Sequence, residues 1–377
     1  MIINITLVIT AIVIAALLAE TLIIRRHVNK FTLRVLVNGT RGKSSVVKYI
    51  HAGLVNTSTF AKVTGVIPTM LFPNGEEKPI NRKGAARVQE QVKMIRYAAG
   101  LKADNIVLEC MSINPELQKL ESRILKPQIY VITNIRNDHP EQMGKDELQQ
   151  VYSICNAIPR NCIVITAEKI HAAIIREFAA NKNSTVVEVD ETVYPELPEH
   201  MHAVNVALAA TVCEQTGIDK KTAIDAIINS ERSPEPVLLK LQGDTLFLNG
   251  FAVNDIPSAS DFIKKWLDEI KTIKKVSFIF NSRNDRPLRT IQFAEWFSSN
   301  GNIERIILTG NHNERAMKEL VKHGFEKEKI SIWNSGSIES FVDSIKQCGL
   351  EGNLIIGIGN IAGDGFKILE KLKGMEV

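Results

Sequence analysis

The sequence predicts an α/β protein in which one N-terminal transmembrane helix precedes two lobes of layered, mostly parallel sheet. Three observations carry this expectation. Residues 2–24 are almost wholly apolar. The chain after them alternates β-branched runs with segments of helical spacing. A glycine loop joins the first such strand to the first such helix.

The apolar run comes first. At about 1.5 Å per residue it reaches about 35 Å as a helix, enough for a hydrocarbon core of about 30 Å. Glu20 is its only charge and lies near one end, within reach of the headgroups. Arg25 and Arg26 follow directly, and only the amino terminus is positive before the run. The positive-inside rule then gives a single-pass protein of the cell membrane, with its N-terminus outside and everything after Arg25 in the cytoplasm. A cleaved signal peptide would carry a basic start and a shorter apolar core.

The glycine loop follows the strand-like Leu33-Arg34-Val35-Leu36-Val37. It reads Gly39-Thr40-Arg41-Gly42-Lys43-Ser44-Ser45 and leads into Val46 to Ile50. Strand, glycine turn and helix start together make a phosphate cradle, because free N–H groups and the helix dipole point at the anion. Lys43 suits the β- and γ-phosphates, and the Ser44 hydroxyl suits Mg²⁺. The first glycine of the long P-loop pattern would fall on Val37, so what stands here is the shorter G-x-x-G-K-S.

Further buried strands are expected at Ile106 to Cys110, Gln128 to Asn134, Cys162 to Thr166, Phe278 to Asn281, Arg305 to Thr309 and Asn353 to Gly357. Helices are expected at Gln89 to Gly100, Ala203 to Thr216, Ser258 to Ile273 and Ile338 to Cys348. The proline-containing stretch from Ser230 to Pro236 reads as a linker. The domains are therefore residues 1–24, 25–236 and 237–377.

Composition excludes some classes. The 377 residues are 45% hydrophobic and 23% charged, as in ordinary globular chains. The net charge of +4 is mild and no basic run appears, so nucleic acid is not an expected partner. Cys110, Cys155, Cys162, Cys213 and Cys348 form no C-x-x-C pair and read as reduced core thiols.

Several residues offer chemistry. Glu109 ends an apolar run, where parallel sheets bind ligands; it suits a divalent cation or is a solvated strand-end acid. Thr133 to His139 (T-N-I-R-N-D-H) ends in a histidine that is either a metal ligand or an exposed loop side chain. Asn205 lies in an alanine-rich helix start and suits a base edge or a helix cap. Asn281 to Arg286 (N-S-R-N-D-R) pairs arginines that suit carboxylate or phosphate, or that pair with Asp285. Gly357 to Gly363 has the wrong spacing for a dinucleotide fingerprint and reads as a tight strand-to-helix turn.

Taken in order, these pieces resemble the Mur ligase superfamily: G-T-x-G-K-[ST] at Gly39 to Ser44, a strand-end Glu109, T-N-[IV]-x-x-D-H at Thr133 to His139, and Asn205 in its helix. Within it the chain resembles poly-γ-glutamate synthase ligase subunits of the CapB/PgsB type. These share the membrane segment, E-C-M-x-x-N-P at Glu109 to Pro115, N-G-F-A-x-N-D at Asn249 to Asp255, N-x-R-x-D-R at Asn281 to Arg286, and G-x-G-N-I at Gly357 to Ile361.

The resemblance implies a P-loop, Mur-ligase-like central ATPase domain and a smaller Rossmann-like C-terminal α/β domain. It implies ATP with Mg²⁺, or with Mn²⁺ in its place, and an amide ligase that forms poly-γ-glutamate from glutamate. Lys43, Glu109 and His139 would be catalytic. Ser44, Glu109 and His139 would hold metal. Gly39 to Ser45 with Asn205 and Lys240 would bind the nucleotide. Asn254, Asp255, Arg283, Asp285 and Arg286 would face the substrate. Small membrane subunits of a synthase and export complex are the implied partners. The other reading is a membrane-anchored P-loop ATPase or kinase that powers or regulates polymer export.

Some features depart from the superfamily. The carbamylated lysine that several members carry has its nearest counterpart near Asn156. Lys240 is the nearest match to a linker arginine that touches the γ-phosphate. Asn249 stands where many members have a ribose-binding Asp. The stretch before Leu33 is also too short for a domain holding a UDP-linked precursor.

Overall fold

The computed structural model describes residues 2–65, 68–82, 86–136, 138–144, 146–190, 197, 201–230, 238–241, 245–253, 255–270, 275–283, 287–300, 303–333, 354–361 and 363–375. The chain divides into two compact units, Met1–Arg232 and Ser233–Val377. The expected helix at Ile338 to Cys348 and the linker from Glu231 onward lie outside the described residues.

The first unit opens with helix α1 (Ile2–Val28), and strand β1 (Leu33–Asn38) leads into α2 (Lys43–Gly53). Then come β2 (Thr59–Val63), the short β3 (Thr69–Leu71) and β4 (Glu77–Pro79), and α3 (Gln89–Gly100). The chain continues through β5 (Asn105–Glu109), α4 (Pro115–Leu125), β6 (Ile129–Ile132), α5 (Pro140–Met143) and α6 (Glu147–Asn156). It ends with β7 (Ile163–Thr166), α7 (Ala172–Ala180), β8 (Thr185–Glu188), α8 (Ala203–Glu214) and α9 (Lys220–Ser230).

Among the described residues the strands form one sheet in the order β4-β3-β2-β5-β1-β6-β7-β8. It is parallel from β2 to β8, and β3 pairs antiparallel with both β2 and β4 at the edge. The central β1 is apolar on both sides because helices cover both faces. Its side chains alternate. Leu36 joins the core under α3, α4, α6 and α7, whereas Val35 and Val37 join the core under α2, α8 and α9. Helix α8 is buried from Asn205 to Cys213, which explains a sequence that is apolar all round. Asn114 starts α4 by accepting from the N–H groups of Glu116 and Leu117, with Pro115 in the first turn.

Helix α1 is long and apolar enough to cross a bilayer. It also runs past the apolar stretch that ends at residue 24. Val28 is buried beside Phe31, and Ile24 packs on the same core. The Arg34 guanidinium donates to the carbonyls of Phe31 (3.1 Å) and Val28 (3.5 Å), fixing the helix end to the sheet.

The second unit contains β9 (Leu238–Leu241), β10 (Thr245–Gly250), α10 (Ile256–Glu269), β11 (Val276–Ser282), α11 (Pro287–Ser299), β12 (Ile303–Gly310) and α12 (Asn313–Lys322). It continues with β13 (Ile330–Ile332), β14 (Leu354–Ile358) and α13 (Asp364–Lys373). Its sheet order among described residues is β13-β12-β11-β14-β10-β9, parallel except for β9. Strands β13, β12, β11 and β14 follow the doubly wound order, with a crevice between β11 and β14 at their C-terminal ends. The turn at Gly359 to Gly363 joins β14 to α13, as the sequence suggests.

Candidate active site

Strands β5, β1 and β6 are neighbours, so Glu109, the glycine loop and the T-N-I-R segment all leave the C-terminal edge of one parallel sheet. The loop has the expected backbone. Gly39 sits at φ +125° and Gly42 at φ +78°, immediately before the first residue of α2. A Cβ on Gly39 would strike the Thr133 hydroxyl, and one on Gly42 would lie 2.7 Å from Asn205 Oδ1. Both positions therefore exclude side chains, and Asn205 is brought against the loop from α8.

Two asparagines lock the loop. Asn38 Oδ1 accepts from Gly39 N at 2.8 Å, while its amide nitrogen donates to Tyr130 (2.7 Å) and Gln118 (2.9 Å). Asn134 Oδ1 accepts from the Thr40 hydroxyl at 2.7 Å and from Arg41 N at 3.1 Å. The Thr40 hydroxyl oxygen also accepts from Arg136 N at 2.9 Å. Lys43 folds back and donates to the carbonyls of Gly39 (2.7 Å) and Thr40 (3.3 Å). Ser45 follows Ser44 in the first turn of α2.

Glu109 is 4% exposed, yet it lies beside this helix start. Its Oε2 accepts from the Ser44 hydroxyl at 2.8 Å and from Thr64 N at 2.6 Å. A Cβ on Gly65 would come within 2.8 Å of Ser44 Oγ, so the segment after β2 passes directly over the pair. A hydroxyl beside a carboxylate at a helix start is an all-oxygen donor set suited to Mg²⁺ or Mn²⁺. The Thr133 hydroxyl is buried without a hydrogen-bond partner at the Gly39 turn.

A buried polar cluster supports the end of β5. Gln91 Nε2 donates to the Glu109 carbonyl (2.9 Å) and to Glu121 (2.7 Å). Glu121 also accepts from the N–H groups of Met111 (3.2 Å) and Ser112 (2.9 Å). The fully buried Lys62 ammonium pairs with Glu90 at 2.7 Å, and Arg82 grips the same carboxylate with two bonds of 2.7 Å. Burial alone would raise the Glu90 carboxyl and lowers the Lys62 ammonium; the bonds and charges of Arg82 and Lys62 win, bringing Glu90 from 4.5 to about 2. A carboxylate held down on folding stabilises fully above its unfolded value and loses that contribution as pH falls through the folded one. The urea midpoint should therefore drop between pH 4.5 and about 2, and Glu90→Gln should flatten that part of the curve. Cys110, next to Glu109, is completely enclosed, and burial pushes its thiol well up, as expected of an inert core cysteine.

His139 stands on the β6 flank with a left-handed backbone, φ +50°. Its Nδ1 meets Glu141 at 2.9 Å, and its Nε2 lies 4.0 Å from Asp138. No three His, Cys, Asp or Glu side chains cluster as metal ligands among the described residues.

The remaining expected residues belong to the second unit. Lys240 is exposed on β9. Asp255 caps α10 by accepting from Ser258 N at 3.0 Å. Arg283 lines the crevice at the ends of β11 and β14, with Asn281, Arg289 and Gly359. Asn254, Asp285 and Arg286 lie outside the described residues. Asn249 Oδ1 is buried without a partner. Sequence reasoning missed Asn38, Thr64 and Gly65; only for Asn38, adjoining the loop, did position give a signal.

Gly42→Ala tests the loop. Left-handed backbone costs an L-residue roughly 1–2 kcal/mol, before the contact with Asn205. Thermal unfolding should show that loss, and titration with ATP should show weaker binding than in the parent.

Comparison with known proteins gives concordant findings. The family model for the Mur ligase middle domain matches residues 37–208, and that for the poly-gamma-glutamate synthase CapB C-terminal domain matches residues 236–375. The chain is 30% identical to the capsule biosynthesis protein CapB of Bacillus anthracis, over 92% of this chain and 78% of that one. It is 28% identical to the PGA synthase CapB of Bacillus subtilis (strain 168), over 94% of each. The crystal structure of a bifunctional folylpolyglutamate synthase/dihydrofolate synthase with Mn, AMPPNP and L-glutamate bound shares the fold. Its TM-score is 0.65 at 12% identity, over 94% of this chain and 92% of that one.

Proposed function

The chain belongs to the CapB family and itself matches a Mur ligase middle domain followed by a CapB C-terminal domain, and from that premise we propose an ATP-dependent amide ligase that extends poly-γ-glutamate. A carboxylate oxygen of glutamate or of the growing chain attacks the γ-phosphorus of ATP, and ADP leaves. The amine of the other partner then attacks the acyl carbon, phosphate departs, and the amine loses its proton. Carboxylate alone is a poor acylating group because its leaving group would be oxide; the phosphorylation removes that barrier.

The chain's own residues supply the rest. N–H groups of the loop and of the first turn of α2 receive the phosphates. Lys43 moves from the carbonyls of Gly39 and Thr40 to the transferring phosphoryl group. Ser44 and Glu109 would hold a divalent cation, and His139 would help hold a second one. When bound, such ions neutralise charge that develops on phosphate and acyl oxygens. Asn205, which lies against Gly42, would meet the base. Lys240 would serve the γ-phosphate, and Asn254, Asp255, Arg283, Asp285 and Arg286 the anionic substrate. Helix α1 would hold the protein in the cell membrane with its soluble units in the cytoplasm, beside small membrane subunits that pass the polymer outward. The observation that carries the reading is the Ser44 hydroxyl on the Glu109 carboxylate, at the mouth of the glycine loop.

The test is an assay of ATP with glutamate and Mg²⁺ or Mn²⁺, with and without co-expressed membrane subunits. ADP and γ-linked product should rise together and stop without glutamate. ATP turnover indifferent to glutamate, with no amide formed, would instead point to an ATPase or kinase.

A further inference from the structure

The exposed large apolar side chains of the first unit are not scattered over its described surface. Outside α1 they lie at α3 (Tyr97, Leu101), on α4 (Leu117, Leu120) and on α6 (Leu148, Tyr152), with Ile170 just before α7. All belong to the helical layer over one sheet face, the face whose core contains Val28 and Phe31. None lies on α2, α8 or α9, which cover the opposite face.

Helix α1 leaves from this same layer. Its last turns pack on α3 and α4, and Arg96 of α3 donates to Glu20 at 3.0 Å. The helix runs unbroken through Arg25 and Arg26 into the buried Val28, so the first unit is fixed to α1 rather than hung from a flexible tether. The exposed charges on α3 and α4 are mainly basic, Lys93, Arg96 and Arg123 against Glu116, whereas α6 begins with the exposed acids Asp146 and Glu147 and so lies outside the basic part of the layer. Basic side chains among exposed leucine and tyrosine suit an anionic lipid surface, where the rings and alkyl groups enter the interface and the cations meet headgroups.

We propose that the α3–α4 face of the first unit rests on the cytoplasmic leaflet of the bilayer that α1 crosses. The membrane occupies this face, rather than another protein, because the face is continuous with the apolar helix and carries charge opposite to the leaflet. Glu20 and Arg96 then mark the headgroup boundary, leaving about 18 residues of α1 for the hydrocarbon, near the lower limit for a span. The proposal rests on the spanning role of α1 given above.

The full chain would be reconstituted in phosphatidylcholine vesicles with or without phosphatidylglycerol. Bimane would be placed at I12C, L117C, L120C or D225C in a C348S background and quenched with brominated lipid; the native cysteines 110, 155, 162 and 213 are buried. Position 12 should be quenched in both vesicles and position 225, on α9, in neither. Positions 117 and 120 should be quenched severalfold more strongly with phosphatidylglycerol, and R96E/R123E should weaken that effect. Positions 117 and 120 as dry of quenching as 225, with position 12 quenched, overturn the proposal and leave the anchor standing. Protection of 117 and 120 only when membrane subunits are present assigns the face to a protein and also overturns it. An unquenched position 12 removes the spanning helix, and the proposal with it.

Discussion

Lys43→Ala should lower ATP-dependent ligation on the order of 10²–10³-fold, the usual effect of removing one preorganised donor from a developing oxyanion. The lysine is the only side-chain cation in the first turn of α2, and its ammonium already lies over the loop, 2.7 Å from the Gly39 carbonyl. Without it, charge on the transferring phosphoryl group would be met by backbone N–H groups and the divalent ion alone. The fold should survive. Lys43 makes two hydrogen bonds to loop carbonyls, and losing such bonds costs about 1 kcal/mol each. Single-turnover formation of ADP and amide, beside a thermal melt, checks both halves. A variant with parental turnover would remove the loop from the mechanism.

Glu109 should be as sensitive, but its substitutions separate by chemistry. In Glu109→Ala the Thr64 N–H and the Ser44 hydroxyl lose their acceptor inside the protein, and an unsatisfied buried group costs about 1–3 kcal/mol. Lost stability and lost activity would then be confounded. Glu109→Gln keeps an oxygen to accept from both groups and removes only the negative charge. It should melt close to the parent, yet need far more Mg²⁺ or Mn²⁺, with ligation at cellular metal concentrations reduced at least about 100-fold. Titration of activity and of ADP binding against metal would show the shift. An unchanged metal requirement in Glu109→Gln would place the cation elsewhere.

Much of the fold was legible because its signals are local. The strand from Leu33, the helix from Gln89 to Gly100 and the strand ending at Glu109 each carry periodicity or β-branching within a few residues. The β3–β4 edge was not legible: three-residue strands bearing Pro79 and exposed Glu77 and Lys78 have no period to detect. How far α1 runs beyond its apolar stretch was not legible either. Arg25 and Arg26 read as the edge of a membrane, and the helix continues past them until Val28 finds the core.

The site divides in the same way. Gly39, Gly42, Lys43 and Ser44 form a contiguous motif, and Glu109 ends a recognisable strand, so the residue types that meet a triphosphate could be read directly. How they are held could not be. Thr40 and Asn134 are 94 residues apart, Ser44 and Glu109 are 65 apart, and neither pairing leaves a trace in local sequence.

The sequence by itself determined the apolar helix, the phosphate loop and the alternation that builds parallel sheets, because each follows from propensities acting over one or two turns of chain. Only the tertiary structure decided that Glu109 closes on Ser44, that Asn205 presses on Gly42, and that Lys62, Glu90 and Glu121 form a buried support beneath the acid. Strand order β5-β1-β6 is what brings them together. That order is set by how the layers bury their apolar faces over the whole unit, a long-range balance that no short window of sequence contains.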